Sequence, residues 1–193
     1  MVRVILDGRK TVTRRAIKNL DIEEENGLVR LYEKDEDDAF YIAPIKCAKE
    51  AMLGYCQYQP GDILYVRETW SEWTDGYVYK AWTEPFPQAG QYETTKWHPS
   101  IHMPKEAARI WLKVTDVHVK RLLEMSVADA MAEGIDPKAT RPNVRGAFRE
   151  FQKVWDSTIK KSDLDRYGWE ANPWVWVIEF ERCDKSESEE DDE

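Results

Sequence analysis

The chain is poor in cysteine, histidine and glycine: three, three and nine respectively in 193 residues. Cys47, Cys56 and Cys183 form an odd set with no short paired spacing, which indicates neither a disulfide framework nor a zinc ribbon. His98, His102 and His118 are too few and too scattered to suggest a metal site. His98 and His102 stand four apart, but Pro99 between them and Pro104 after them favour a loop over a helix that would align them. No apolar run approaches the ~20 residues of a membrane-crossing helix. The N-terminus lacks the charged-then-apolar pattern of a secretion signal. The expectation is a reduced, cytoplasmic protein that needs no metal or cofactor and does not engage a membrane.

Charge is plentiful but uneven. The formal net charge is -9, and residues 184–193 carry -6 of it, which leaves -3 for the body. That acidic tail has almost no apolar content and is expected to be disordered, so the folded domain is expected to span residues 1–183. At this length one domain with a respectable core is expected. Nine tryptophans and nine tyrosines can fill a core, and they also offer flat faces on which bases stack. Against the acidic background, five of the eleven residues from Gly8 to Lys18 are basic. Cations concentrated in this way suit an anionic ligand such as a nucleotide or RNA. The competing reading is a solvated surface run. The mixture favours a site, because Lys10 and Thr13 stand three apart beside a glycine and can bring an amine and a hydroxyl to one ligand.

The pattern along the chain reads as follows. Residues 1–6 form a short helical turn leading into Gly8, and residues 10–15 an extended segment. Residues 19–58 look irregular apart from a strand over 40–45, and the acidic runs 21–25 and 35–38 read as solvated loop or hairpin faces. Pro60-Gly61-Asp62 marks a tight turn that launches a strand over 63–67, with a second strand over 77–81 paired to it. Residues 82–103, rich in proline, glycine and aromatics, read as a long ordered loop or lid. Ile110, Leu112 and Val114 alternate, and Val117 and Val119 then alternate in the opposite phase, which marks a β-bulge inside one strand. Ser126-x-x-Asp129 forms a capping box for a helix with Val127, Ala130 and Met131 as its buried stripe and Gly134 as its left-handed stop. Phe148, Phe151 and Trp155 make a second amphipathic helix, and the apolar run 174–180 a central strand covered on both faces. Strands and helices that do not alternate regularly point to an α+β fold, a small barrel with flanking helices.

Gly8-x-Lys10-x-x-Thr13-x-Arg15 resembles the motif of ASCH domains, a PUA-like β-barrel family whose usual pattern is Gly-x-Lys-x-x-Glu-x-Arg. The stretches 5–15, 60–70, 100–104, 130–135 and 172–180 resemble the bacteriophage and prophage branch of that family, with inserted segments around 19–58 and 82–96. The resemblance implies a PUA-like barrel and a role in binding or processing RNA. One branch is similar to small bacterial amidohydrolases that remove the acetyl group from N4-acetylcytidine, and these carry threonine in the motif with a Lys, Thr and Glu catalytic set. Carried over, the resemblance implies Lys10, Thr13 and Glu133 as catalytic residues and an N-acylated cytidine-type substrate. Other branches leave a non-catalytic RNA-binding module or a ribonuclease as alternatives.

Each candidate has a chemical rationale. Burial together with Arg9, Arg14 and Arg15 would lower the Lys10 pKa, which suits a base that takes a proton from a hydroxyl; a phosphate contact or a salt bridge is the plainer alternative. Thr13 would be the nucleophile, or simply a β-former in a strand. Glu133 precedes the helix-stopping Gly134, at the negative end of the helix dipole, and is expected to donate a proton; a tolerated surface acid is the alternative. Arg9, Arg15 and Arg67 are expected to grip phosphate or a base carbonyl. Trp70, Tyr65, Trp97 and His102 are candidates for stacking on a base, and Ser100 and His102 for lidding the pocket. The partner is expected to be RNA or a modified nucleoside.

Overall fold

In the computed structural model, residues 2–34, 38–73, 76–83, 96–136 and 144–185 are described. In chain order the elements are α1 (Val2–Leu6), β1 (Val12–Ala16), β2 (Leu20–Glu25), β3 (Leu28–Glu33), β4 (Tyr41–Pro44), α2 (Ile45–Leu53), β5 (Ile63–Tyr65), β6 (Trp70–Trp73), β7 (Gly76–Tyr79), α3 (Lys80–Thr83), β8 (Trp111–Arg121), α4 (Val127–Ala132), α5 (Val144–Thr158), α6 (Leu164–Tyr167) and β9 (Trp174–Cys183). The arrangement is α+β: a curled antiparallel half-barrel sheet in the order β1-β9-β8-β5, a β2-β3-β4 meander, a β6-β7 hairpin, and flanking helices. None of the described helices is long and apolar enough to cross a membrane.

The apolar run of β9 makes it the strand with a partner on each side. Trp174 to Ile178 are all buried, as a strand covered on both faces requires. On β8 the register slips between Val114 and Asp116, so Val117 and Val119 return to the face that carries Val114, and all three join one core cluster. The bulge expected from the phase of the apolar residues is therefore present.

The two faces of this sheet are covered differently. Helix α5 lays Ala147, Phe151 and Trp155 against Val12, Val175 and Val177, with Leu122, Met125 and Ala130 completing that layer. Burying large side chains such as these contributes about 1.5–3 kcal/mol each. The opposite face is closed only at its ends. Ile5 of α1 packs there with Ile110, Leu112 and Phe180, while the meander and α2 pack Val29, Leu31, Ala48 and Met52 against Val114, Trp176 and Ile178.

Several expectations change. The described residues of 19–58 form regular elements rather than an irregular stretch: Asn26 and Gly27 take positive φ (52° and 78°) and turn β2 onto β3, the turn chemistry of a two-residue hairpin. The acidic run 21–25 lies on β2, a hairpin face, whereas part of the run 35–38 lies outside the described residues. Residues 45–53 form α2, which buries Ala48 and Met52 completely. Strand β7 pairs with β6 and not with β5: Gly76 stands opposite Trp73 and Tyr79 opposite Trp70, and Lys80 already begins α3. Met131 is 38% exposed: in a helix of six residues only one narrow face can pack, and Met131 lies about 100° round from the buried Ala130. Most of the loop expected over 82–103, and the tail beyond Lys185, lie outside the described residues.

Candidate active site

The open middle of the sheet face is a cleft of about 540 Å³. It runs from edge strand β1 to edge strand β5. Thr13 and Arg15 line it from β1, Ile178 and Phe180 from β9, Leu112 from β8, and Leu64 with Val66 and Arg67 from β5 and the residues after it. Alternation along β1 assigns the roles: Thr13 and Arg15 face the cleft, whereas Val12 is buried against α5 and Arg14 reaches the carboxylates of α4.

Lys10 is brought to the cleft wall by two turns. Helix α1 ends at Gly8 (φ 69°), after which the amides of Arg9 and Lys10 both donate to Val4 O. The chain then runs antiparallel to the end of α4, where Lys10 bridges Glu133 and Thr11 N donates to Ala132 O at 2.9 Å. Helix α4 starts in the expected capping box, Ser126 with Asp129, and its cap residue is Glu133 itself. Gly134 then takes φ 96°, and a Cβ there would lie 3.0 Å from Val4 Cγ2 and 3.4 Å from Lys10 Cβ, so glycine serves both the dihedral and the close approach.

The result is a buried ion network. Lys10 Nζ donates to Glu133 Oε2 at 2.5 Å, to Val12 O at 2.8 Å and to Glu133 O at 3.1 Å, which uses all three ammonium donors. Arg14 Nη1 donates to Glu133 Oε1 at 3.2 Å and Nη2 to Asp129 Oδ1 at 3.0 Å. The side chains of Lys10, Arg14 and Glu133 are at most 7% exposed. Burial holds the Lys10 pKa below its ordinary 10.5, with Arg15 and Arg14 adding to the depression and the Glu133 carboxylate opposing it. At Asp129 burial pushes the carboxyl upward, but hydrogen bonds from Ser126 and the Arg14 charge outweigh it and leave it below 3.8.

The three residues expected to act together fall close in part. Lys10 and Thr13 line the same cleft, and Glu133 sits behind Lys10, against its ammonium. Thr13 makes no side-chain hydrogen bond among the described residues, to Lys10 or otherwise. Glu133 was expected as a proton donor, yet its carboxylate accepts from both Lys10 and Arg14, so it is placed to receive protons and to orient Lys10. Arg14, left out of the expected set, is the second cation of the network. Its position between Val12 and Ala16 on a strand face packed against helices was the available sign, because a charge on an apolar face needs buried partners.

Comparison of the chain with family models, with curated proteins and with solved structures finds no match. The site is therefore characterised by its own geometry.

Among the expected binding residues, Arg15 and Arg67 line the cleft and are exposed. Arg67 donates to Tyr65 Oη at 2.9 Å and to Ile101 O at 3.2 Å, and lies 5.4 Å from the centre of the Tyr65 ring, itself part of the cleft wall. The others lie elsewhere. Arg9 is exposed and pairs with Asp7 at 3.0 Å. Trp70 is buried in the cluster of Tyr79, Met103 and Trp111 and stacks on His98, so no base can reach its face. Ser100 and His102 form a single 3-10 turn held by Pro99 O and Ser100 O; the turn touches the cleft wall only through Ile101 O, which accepts from Arg67, and neither Ser100, His102 nor Trp97 lines the cleft. Tyr58, not among the expected binding residues, also lines the cleft.

One further set of chemistry-bearing side chains lies off the cleft. Asp116 and Glu179 face each other across β8 and β9, with His118 beside them, and their donor atoms lie within 4.8 Å of one another. His118 Nδ1 is 3.1 Å from Asp116 Oδ2, an ion pair when the ring is protonated. By ligand type this set suits a divalent cation, but it contributes nothing to the cleft.

Proposed function

We propose that the protein is a PUA-like half-barrel of the ASCH type that binds a modified nucleoside, free or within RNA, and hydrolyses an N-acyl bond on its base. The observation that carries this reading is a nucleoside-sized cleft with Lys10 and Thr13 on its wall and a buried glutamate 2.5 Å behind the lysine. Lys10 acts as base once its ammonium has passed a proton to Glu133 Oε2, a transfer favoured by the burial that lowers its pKa. The free amine takes the Thr13 hydroxyl proton as Oγ attacks the acyl carbonyl. The C–N bond then breaks, and the leaving nitrogen of the base collects the proton from Lys10. Water hydrolyses the acyl-threonine ester to the carboxylic acid and restores the hydroxyl.

Purified protein incubated with N4-acetylcytidine tests this. Acetate release is expected, falling at least 100-fold in Lys10→Ala and Thr13→Ala. No acetate from the parent protein would end the hydrolytic reading.

A second reading draws on a specific observation: all three Lys10 donors are engaged within the protein and none reaches Thr13. On that reading the Lys10–Glu133 pair braces the strand, and the cleft only binds. Nucleoside or RNA binding that survives Thr13→Ala, with no product formed, favours it.

A further inference from the structure

The cleft carries positive charge that the protein does not neutralise. Arg9, Arg14, Arg30, Arg109, Arg121 and Arg166 each meet a carboxylate within 2.5–3.2 Å. The two cleft arginines do not; off the cleft, Arg149 and Arg182 also meet no carboxylate among the described residues, so it is the absence of acids from the cleft lining that sets the cleft pair apart. Arg67 is held by two neutral oxygens and by the face of Tyr65, and Arg15 makes no hydrogen bond or ion pair among the described residues. No Asp or Glu among the described residues lines the cleft, although the chain has 37 acids against 28 Lys and Arg. An acidic protein that keeps carboxylates out of one concave site, and leaves two guanidinium groups there unpaired with acid, has a site tuned to an anion.

The positions of the two arginines narrow the anion. Arg15 stands on β1 and Arg67 follows β5, the two edge strands, so the charges flank the apolar floor formed by Leu64, Leu112 and Ile178. A ligand that fits places a flat apolar body on that floor and an anionic group at the rim. Arg67 is pre-set for such a group, because its contacts to Tyr65 and Ile101 fix the guanidinium and occupy only two of its five N–H donors.

The geometry points to a phosphorylated ligand: the cleft takes a nucleotide rather than a neutral nucleoside, and Arg15 and Arg67 hold its phosphate. This rests on the reading of the cleft as a nucleoside site and adds the charge of the substrate. The phosphate belongs either to a free mononucleotide or to the backbone of an RNA strand.

Calorimetric titration of the full chain with cytidine, cytidine 5′-monophosphate, a five-nucleotide single-stranded RNA and inorganic phosphate tests it, in the parent protein and in Arg15→Gln, Arg67→Gln and the double variant. Cytidine 5′-monophosphate is expected to bind at least about tenfold tighter than cytidine, as one charge-assisted contact warrants. Each single variant is expected to lose part of that preference and the double variant nearly all of it. The preference is expected to weaken with added salt. Both arginines are exposed, so unchanged thermal unfolding of the variants is the expected control. RNA binding tighter than the mononucleotide assigns the phosphate to a strand, and the reverse assigns it to a free nucleotide. Equal affinity for cytidine and its monophosphate, or a preference that survives the double substitution, overturns the proposal. Phosphate binding that depends on the two arginines, with no cytidine binding, keeps the anion site and rejects the nucleoside reading. Absence of binding by all four probes rejects both.

Discussion

Strand β1 serves two different surfaces. Its Val12 and Arg14 side belongs to a layer closed by α4 and α5, where apolar packing is complete and the one charge present is matched by Glu133 and Asp129. Its Thr13 and Arg15 side opens on the cleft, where a hydroxyl and a guanidinium have no protein partner among the described residues. Adjacent along the chain, Arg14 and Arg15 thus occupy opposite regimes: one charge is held by buried partners, the other is left available. What separates a structural cation from a ligand-binding one here is the face of the strand, not the residue type.

The strongest way to break the closed side is through α5. Trp155 is 5% exposed and packs beside Phe151, so Trp155→Ala is expected to cost about 3–5 kcal/mol. Chemical denaturation measures this directly, and a loss below 1 kcal/mol would mean that α5 is not anchored as described. On the open side, Leu64→Ala is expected to cost clearly less, because Leu64 is only half-buried and the cleft already gives it a free flank.

The arginines sharpen the contrast. Arg14→Ala leaves the Glu133 carboxylate with one cation instead of two and removes a partner of Asp129, for an expected loss of about 3 kcal/mol. Arg15→Ala is expected to change stability by no more than about 0.5 kcal/mol. Equal effects of the two substitutions would erase the distinction between the faces.

Much of this contrast was legible in the sequence, but not all of it. The opposite phases of Leu112–Val114 and Val117–Val119 announced the bulge, because apolar side chains must return to one core. Ser126, Asp129 and Gly134 announced both ends of α4, since each supplies a local hydrogen bond or dihedral that a helix end needs. The Asn26-Gly27 turn was equally readable, but the acidic residues of β2 masked it, because an exposed edge strand has no apolar alternation to display. The meeting of Lys10 with Glu133, 123 positions apart, has no local signature. Family resemblance suggested the pair, whereas the geometry depends on the backbone bridge and the tight turn at Gly134. Trp70 and Arg9 misled because an aromatic ring or a cation carries no mark of which surface it will face.

The two turns that deliver Lys10 differ as the two faces do. At Gly8 an added Cβ meets nothing within 4 Å, so Gly8→Ala is expected to cost only the left-handed dihedral, about 1 kcal/mol. At Gly134 the same methyl meets Val4 and Lys10 as well, and Gly134→Ala is expected to cost about 2–3 kcal/mol. It should also shift Lys10 and so impair any activity that depends on it. Equal losses at the two glycines would show that the close approach of α1 to α4 is looser than drawn.

The smallest effect expected is the pH dependence that Lys10 contributes. Its folded pKa lies below 10.5, chiefly because of burial, so between the lowered value and 10.5 the folded protein has released a proton that the unfolded chain still holds. In that window the unfolded state binds more protons, and stability attributable to Lys10 rises with pH. Below the window both states are protonated, and the cost of burying the ammonium is carried in full. Asp129 follows the same sign in the acid range: its lowered value contributes stability above 3.8 that is lost as pH falls through the folded value. Comparing denaturation of the parent with that of Lys10→Met across the alkaline range isolates the lysine, because the other titrating groups are common to both. The parent is expected to gain stability relative to the variant as pH climbs toward 10.5. A parent that instead loses ground to the variant would mean that Glu133 outweighs burial, and that Lys10 is a fixed cation bracing β1 and not a base.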